Sequence, residues 1–120
     1  MKYLLAIYGN DEVWNAFPPE QLQQIIKETD AHNNSLFASG ELVGAYGVAD
    51  QMQAKKVRLA DGATVVTDGP YIEAKEFLGS FYVVDCESLD RAIEIAAEMP
   101  AARFTDIEIR PLLHEGTPDL

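Results

Sequence analysis

The sequence has a single cysteine, Cys86, and two histidines. No internal disulfide can form. No Cys/His cluster with metal-ligand spacing exists, so no metal site is expected. Cations are scarce as well: nine Lys and Arg face twenty Asp and Glu, a net charge of -11. That balance argues against direct nucleic-acid binding, which needs clustered Lys and Arg, and against an anionic membrane surface. Its simplest consequence is solubility. No apolar run reaches the length of a membrane span, and no apolar h-region with a cleavage site opens the chain. The expectation is a cytoplasmic protein, in keeping with the lone thiol.

What is present is enough for one packed domain: 120 residues, 48% of them hydrophobic. The densest set of special residues runs from Val66 to Glu76, VTDGPYIEAKE. Asp68 can hydrogen-bond the backbone ahead of it, Gly69 permits positive φ, and Pro70 fixes its own φ and restricts Gly69. A hairpin needs about two to five residues, whereas this connection spends about ten, the usual sign of a loop that shapes a site or an interface. A plain structural turn would use the same residue types.

Around this loop the chain reads as alternating strands and helices. Lys2 to Tyr8 is an apolar strand expected to be buried on both faces. Trp14 and Phe17 follow in an irregular segment, covering the core edge or lining a pocket mouth. Pro18-Pro19 opens a helix whose stripe is Leu22, Ile25, Ile26, Leu36 and Phe37, closed by Ser39-Gly40. Asn33 falls within that stripe. A buried amide without a partner costs roughly 1–3 kcal/mol, so it is bonded, faces a polar cavity, or is exposed by fraying. His32 reads as a solvent-edge residue rather than a base.

Glu41 to Val48 is a strand interrupted by Gly44 and Gly47, which points to a bulge or a close approach. Ala54 to Ala60 and Ala63 to Thr67 form a hairpin around Asp61-Gly62. Leu78 to Cys86 is the strongest strand. Ser88 caps a second helix with the stripe Leu89, Ala92, Ile93, Ala96, ended by Pro100. Phe104 to Leu113 is the last strand, with Ile107 and Ile109 on one face and Glu108 and Arg110 on the other. Residues 1–113 form the domain, and 114–120 read as a flexible tail. The order implies an α+β, ferredoxin-like fold, an antiparallel sheet with two main helices on one face and a β-hairpin insertion. The other sheet face then needs cover, and a second subunit is the expected cover.

Thr67-Asp68-Gly69-Pro70-Tyr71, then Glu73, Lys75-Glu76, Leu78-Gly79 and Phe81-Tyr82, resemble the signature of the YCII-related proteins, in the branch named for its DGPF motif. Tyr71 stands where that motif has Phe. Gly40-Glu41-Leu42, Lys56-Val57-Arg58 before Asp61-Gly62, Ala92, Pro100 and Glu108-Ile109-Arg110-Pro111 extend the resemblance over nearly the whole chain. It implies a ferredoxin-like, dimeric α+β barrel type of fold with a cleft near the motif loop. Members of the wider family carry a His–Asp pair suspected of acid–base work, but His32 does not match that histidine's place. Proteins of the DGPF type also resemble partners encoded beside alternative sigma factors, which implies a regulatory module as the alternative to a small-molecule binder or enzyme.

The candidate catalytic residues are Asp68 and Glu76. The ligand-binding candidates are Asn33, Arg58, Asp68, Gly69, Pro70, Tyr71 and Lys75. Asp68 would act as acceptor or base, with Lys75 or Arg58 holding an anion or fixing Asp68. Otherwise Asp68 caps the turn while Lys75 and Glu76 pair on the surface, at about 0–1 kcal/mol. No cofactor is named by the sequence. The expected partners are a second copy of the chain, a small molecule, and a protein of transcription regulation.

Overall fold

Four strands make the main sheet of the computed structural model, which describes residues 1–9, 11–69 and 76–118. They are β1 (Lys2–Gly9), β2 (Leu42–Gly47), β5 (Phe77–Asp85) and β6 (Ile107–Pro111), in the order β2-β5-β1-β6 with every neighbouring pair antiparallel. Between β1 and β2 lie the short helix α1 (Asp11–Asn15) and the long helix α2 (Pro19–Ser39), and α3 (Leu89–Glu98) joins β5 to β6. A separate hairpin, β3 (Lys55–Ala60) and β4 (Ala63–Asp68), is inserted between β2 and β5. This is the α+β, ferredoxin-like arrangement with a hairpin insertion.

Local chemistry sets the boundaries. Pro18 is extended at the N-cap of α2, and Gly40 adopts φ 82° at its C-terminus, with its N–H donating to Leu36 and Phe37 carbonyls. The Ser88 side chain accepts from the Arg91 N–H at 3.1 Å and starts α3. Asp61 (φ 51°) and Gly62 (φ 78°) are both left-handed, so a two-residue turn of the type that matches strand twist joins β3 to β4.

The core lies between the helices and one face of the sheet. Tyr3, Leu5 and Ile7 of β1, Leu42 of β2, and Tyr82 and Val84 of β5 meet Leu36 of α2 and Ala92 and Ile95 of α3. Ile107 and Ile109 pack against this cluster, while Glu108 and Arg110 take the other face as expected. Cys86 is buried at the end of β5.

Several expectations need correction. β1 is buried on the helix side, but on its other side only Ala6 is buried, and Lys2, Leu4 and Tyr8 are half-buried. Trp14 sits in the helical turn α1 rather than in irregular chain. On α2 only Ile25 and Leu36 are buried; Ile26 and Phe37 are more than half exposed, because the helix turns the other flank of its stripe to the sheet. The same shift on α3 buries Ala92, Ile95 and Ala96 and leaves Leu89 and Ile93 about half exposed. His32 is a largely enclosed ring rather than a solvent-edge residue: its side chain is 12% exposed and its Nε2 stands 3.5 Å from Glu98 of α3.

The sheet face away from the core carries Leu4, Tyr46, Phe81 and Val83, placed together by the register Leu4↔Val83 and Tyr46↔Phe81. The Tyr46 and Phe81 rings are 5.3 Å apart. The register shifts at Val43, and a Cβ on Gly44 would lie 2.5 Å from the Tyr46 hydroxyl. The glycine thus marks both a bulge and a close approach, by a side chain lying back over it.

Candidate functional site

The motif loop leaves the end of β4. Asp68 is cross-strand from Lys55, and its carboxylate meets Lys55 Nζ at 2.5 Å. Both side chains are largely exposed, so this pair belongs to the weak surface class. Gly69 follows with φ 69°, is buried, and donates its N–H to the Ala54 carbonyl at 2.7 Å. That bond closes the base of the hairpin, and only a residue tolerant of positive φ fits there. Pro70, Tyr71 and Lys75 lie outside the described residues.

Arg58 does not fix Asp68. It pairs with Val65 in the hairpin register and projects from the face opposite to Lys55 and Asp68, since side chains alternate along a strand. Asn33 does not join them either. Its Oδ1 accepts from the Tyr82 hydroxyl at 2.7 Å, so it is a bonded amide linking α2 to β5. Burial is the main cause that pushes the Tyr82 hydroxyl above its usual range, with the Asn33 bond opposing it.

Glu76 is the candidate that stands in a cleft. It shares the walls of a cavity of about 210 Å³ with Val13 and Trp14 of α1 and with Phe104, Thr105 and Asp106 before β6. Aromatic packing builds one side: Phe17 and Phe104 rings are 4.7 Å apart, edge to face, and Trp14 lies 6.3 Å from Phe104. Thr105 is held by its own bonds, with Oγ1 donating to the Tyr8 carbonyl at 3.0 Å and its N–H donating to Ala101 at 3.0 Å. Of the two aromatics read as covering the core edge or lining a pocket mouth, Trp14 lines the cavity and Phe17 packs behind it on Phe104.

The described walls therefore offer two aromatic surfaces and two carboxylates, Glu76 and Asp106, which when ionised only accept hydrogen bonds. Among the described residues no group of three or more His, Cys, Asp or Glu is placed to hold a metal ion, and no helix is long and apolar enough to cross a membrane. Phe104, Thr105 and Asp106 were not legible as site residues. They lie about thirty positions from Glu76, and only the sheet order, which sets β6 beside β1, brings the two segments together.

Comparison with known proteins places the chain. The solved structure of a 5-chloro-2-hydroxyhydroquinone dehydrochlorinase from Burkholderia phenoliruptrix AC1100, in complex with 2,5-dihydroxybenzoquinone, shares the fold with a TM-score of 0.50, covering 96% of both chains at 17% identity. An uncharacterized protein of Rhizobium meliloti (strain 1021) is 31% identical over 114 residues, 93% of this chain and 92% of that one. The model of the YCII-related domain matches residues 1–114. The chain belongs to the YCII-related domain family.

Proposed function

We propose that this YCII-related domain binds a small molecule in the cleft beside the Asp68-Gly69-Pro70 loop, and that Asp68-Gly69-Pro70-Tyr71 puts it in the DGPF-motif branch of the family. The observation that carries the reading is the position of Glu76. It is the first described residue after the motif loop, and its neighbours in the cleft are Trp14, Phe104, Thr105 and Asp106. A volume of about 210 Å³ is below the ~300–1,000 Å³ of drug-sized sites, so the occupant is small. Aromatic walls with acceptor carboxylates suit a compact planar or apolar body bearing hydrogen-bond donors. Glu76 is the group placed to accept a proton there. Asp68, paired with Lys55 at the loop's entry, is assigned to positioning the loop.

Trp14 is the single tryptophan of the chain, so its emission reports on the cleft. Fractions of a host small-molecule extract should change Trp14 fluorescence in the wild type, and Glu76→Gln should weaken the response at least ten-fold with the fold intact. Asp68→Asn should lower stability by about 0–1 kcal/mol, the range for an exposed pair, and weaken binding less than Glu76→Gln does. A Trp14 signal that no fraction alters would contradict the reading.

The apolar sheet face supports a homodimer. Tyr46 is 56% exposed, and with Leu4, Phe81 and Val83 it forms an apolar surface on the sheet face away from the core. A second copy presenting the same face would cover it.

A further inference from the structure

Two hollows adjoin the segment that leads into β6. Besides the cleft, a shallow groove of about 260 Å³ runs between α3 and β6. Ile93 and Ala97 wall it on the helix, Ile107 and Ile109 on the strand. Thr105 and Asp106 line both hollows, so cleft and groove meet at these two residues.

The groove follows from the way α3 packs. β6 is an outer strand of the sheet, and α3 settles on the buried Ala92 and Ala96, which leaves Ile93 48% exposed at its margin. Residues four apart on a helix share a face, so Ile93 and Ala97 make one wall. Residues two apart on a strand do the same, so Ile107 and Ile109 make the other. None of these four side chains carries a polar atom. The trough suits a hydrocarbon chain.

The cleft end has the opposite character. Glu76 and Asp106 are exposed carboxylates, and Trp14 and Phe104 stand beside them. No Lys, Arg or His is among the described walls of either hollow. The Arg103 guanidinium lies 5.9 Å from the centre of the Phe104 ring, but it is paired with Glu28. An anionic head would therefore meet like charge without a free counter-charge, on a chain of net charge -11. A cationic head meets carboxylates and aromatic rings together, and ring faces attract ammonium groups.

We propose that the ligand of the cleft is an aliphatic amine. Its ammonium head sits among Glu76, Asp106, Trp14 and Phe104, and its hydrocarbon chain lies along the groove between α3 and β6. The inference rests on the small-molecule reading of the cleft and names the class of that ligand. Each hollow alone, about 210 and 260 Å³, falls short of the ~300–1,000 Å³ of drug-sized sites, and the two together reach it. The cleft takes a small head, and the groove takes the rest.

The test is a titration of the full chain with n-alkylamines from propylamine to octylamine, read by Trp14 emission. Affinity should rise roughly two- to four-fold per added methylene, the upper figure being the fold-change for ~0.8 kcal/mol per fully buried CH₂. Octanoate should bind at least ten-fold more weakly than octylamine. Ala97→Gln puts a polar amide into the groove at an exposed helical position, where Gln is a good helix former. It should flatten the chain-length slope with an unchanged far-UV spectrum. A flat or silent amine series beside a Trp14 response to an extract fraction would overturn the amine and leave the cleft reading standing. Silence towards amines and every fraction would overturn both. Octanoate binding as tightly as octylamine would overturn the cationic head, and a slope that survives Ala97→Gln would overturn the groove.

Discussion

Glu41 and Arg91 are fifty residues apart and meet through two 2.8 Å bonds, Arg91 Nε to one carboxylate oxygen and Nη2 to the other. This fork ties the start of α3 to the junction between α2 and β2, with Glu94 taking a further bond from Nη1 at 3.1 Å. The Arg91 bond is the main cause that holds the Glu41 carboxyl below its usual range. A carboxyl whose folded pKa is depressed adds stability that is fully present above its unfolded value, about 4.3, and is lost as pH falls through the folded value. Wild type should thus be more stable than Glu41→Gln at pH 7, and the gap should close as pH drops below about 4. Urea melts at the two pH values check this; a gap that stays constant would contradict it.

Some of this chemistry is written locally and was readable in the sequence. Ser88 as a cap, Asp61-Gly62 as a turn and Gly69 as a positive-φ residue each depend on backbone rules over a few neighbours. The partners of Asn33 and Glu41 were not readable, because Tyr82 and Arg91 arrive from distant elements. The Asn33–Tyr82 bond accounts for an amide in an apolar stripe. Tyr82→Phe removes that donor while keeping the ring, and should cost about 0.5–1.5 kcal/mol. A thermal melt that moved not at all would show that the bond adds nothing.

At the scale of elements, type and order were legible and phase was not. Periodicity finds that α2 and α3 are amphipathic, but their stripes are wide. α3 settles on Ala92, Ile95 and Ala96, since small residues let it approach the sheet closely and Ile95 then fills the space at 0% exposure. The larger Leu89 and Ile93 are left at the margin. Ile95→Ala should therefore cost about 2–5 kcal/mol, while Ile93→Ala, half exposed, should cost clearly less. In denaturant melts, a loss for Ile93→Ala as large as or larger than that for Ile95→Ala would contradict this phase, and a clearly larger one would put the helix in the phase the sequence suggested.

The candidate site divides along the same line. Gly69 and Glu76 were findable because they belong to one dense stretch of sequence. Phe104, Thr105 and Asp106 needed the tertiary pairing of β6 with β1. Where Arg58 stands relative to Asp68 needed alternation along β3 to be combined with the β4 register, which turns the two to opposite faces.

For the whole molecule, we propose a family domain that covers its open sheet face by pairing and keeps a small cleft at the motif loop. The principal extents, 48 × 48 × 21 Å, describe a broad, thin body, and a thin layer buries little of its own sheet. Native mass spectrometry of freshly purified protein tests the central claim most directly, because it weighs the subunits and any retained ligand together. The account predicts two chains carrying a stoichiometric small-molecule mass that disappears in Glu76→Gln. A single chain, or a dimer of bare mass that is identical in wild type and Glu76→Gln, would contradict it.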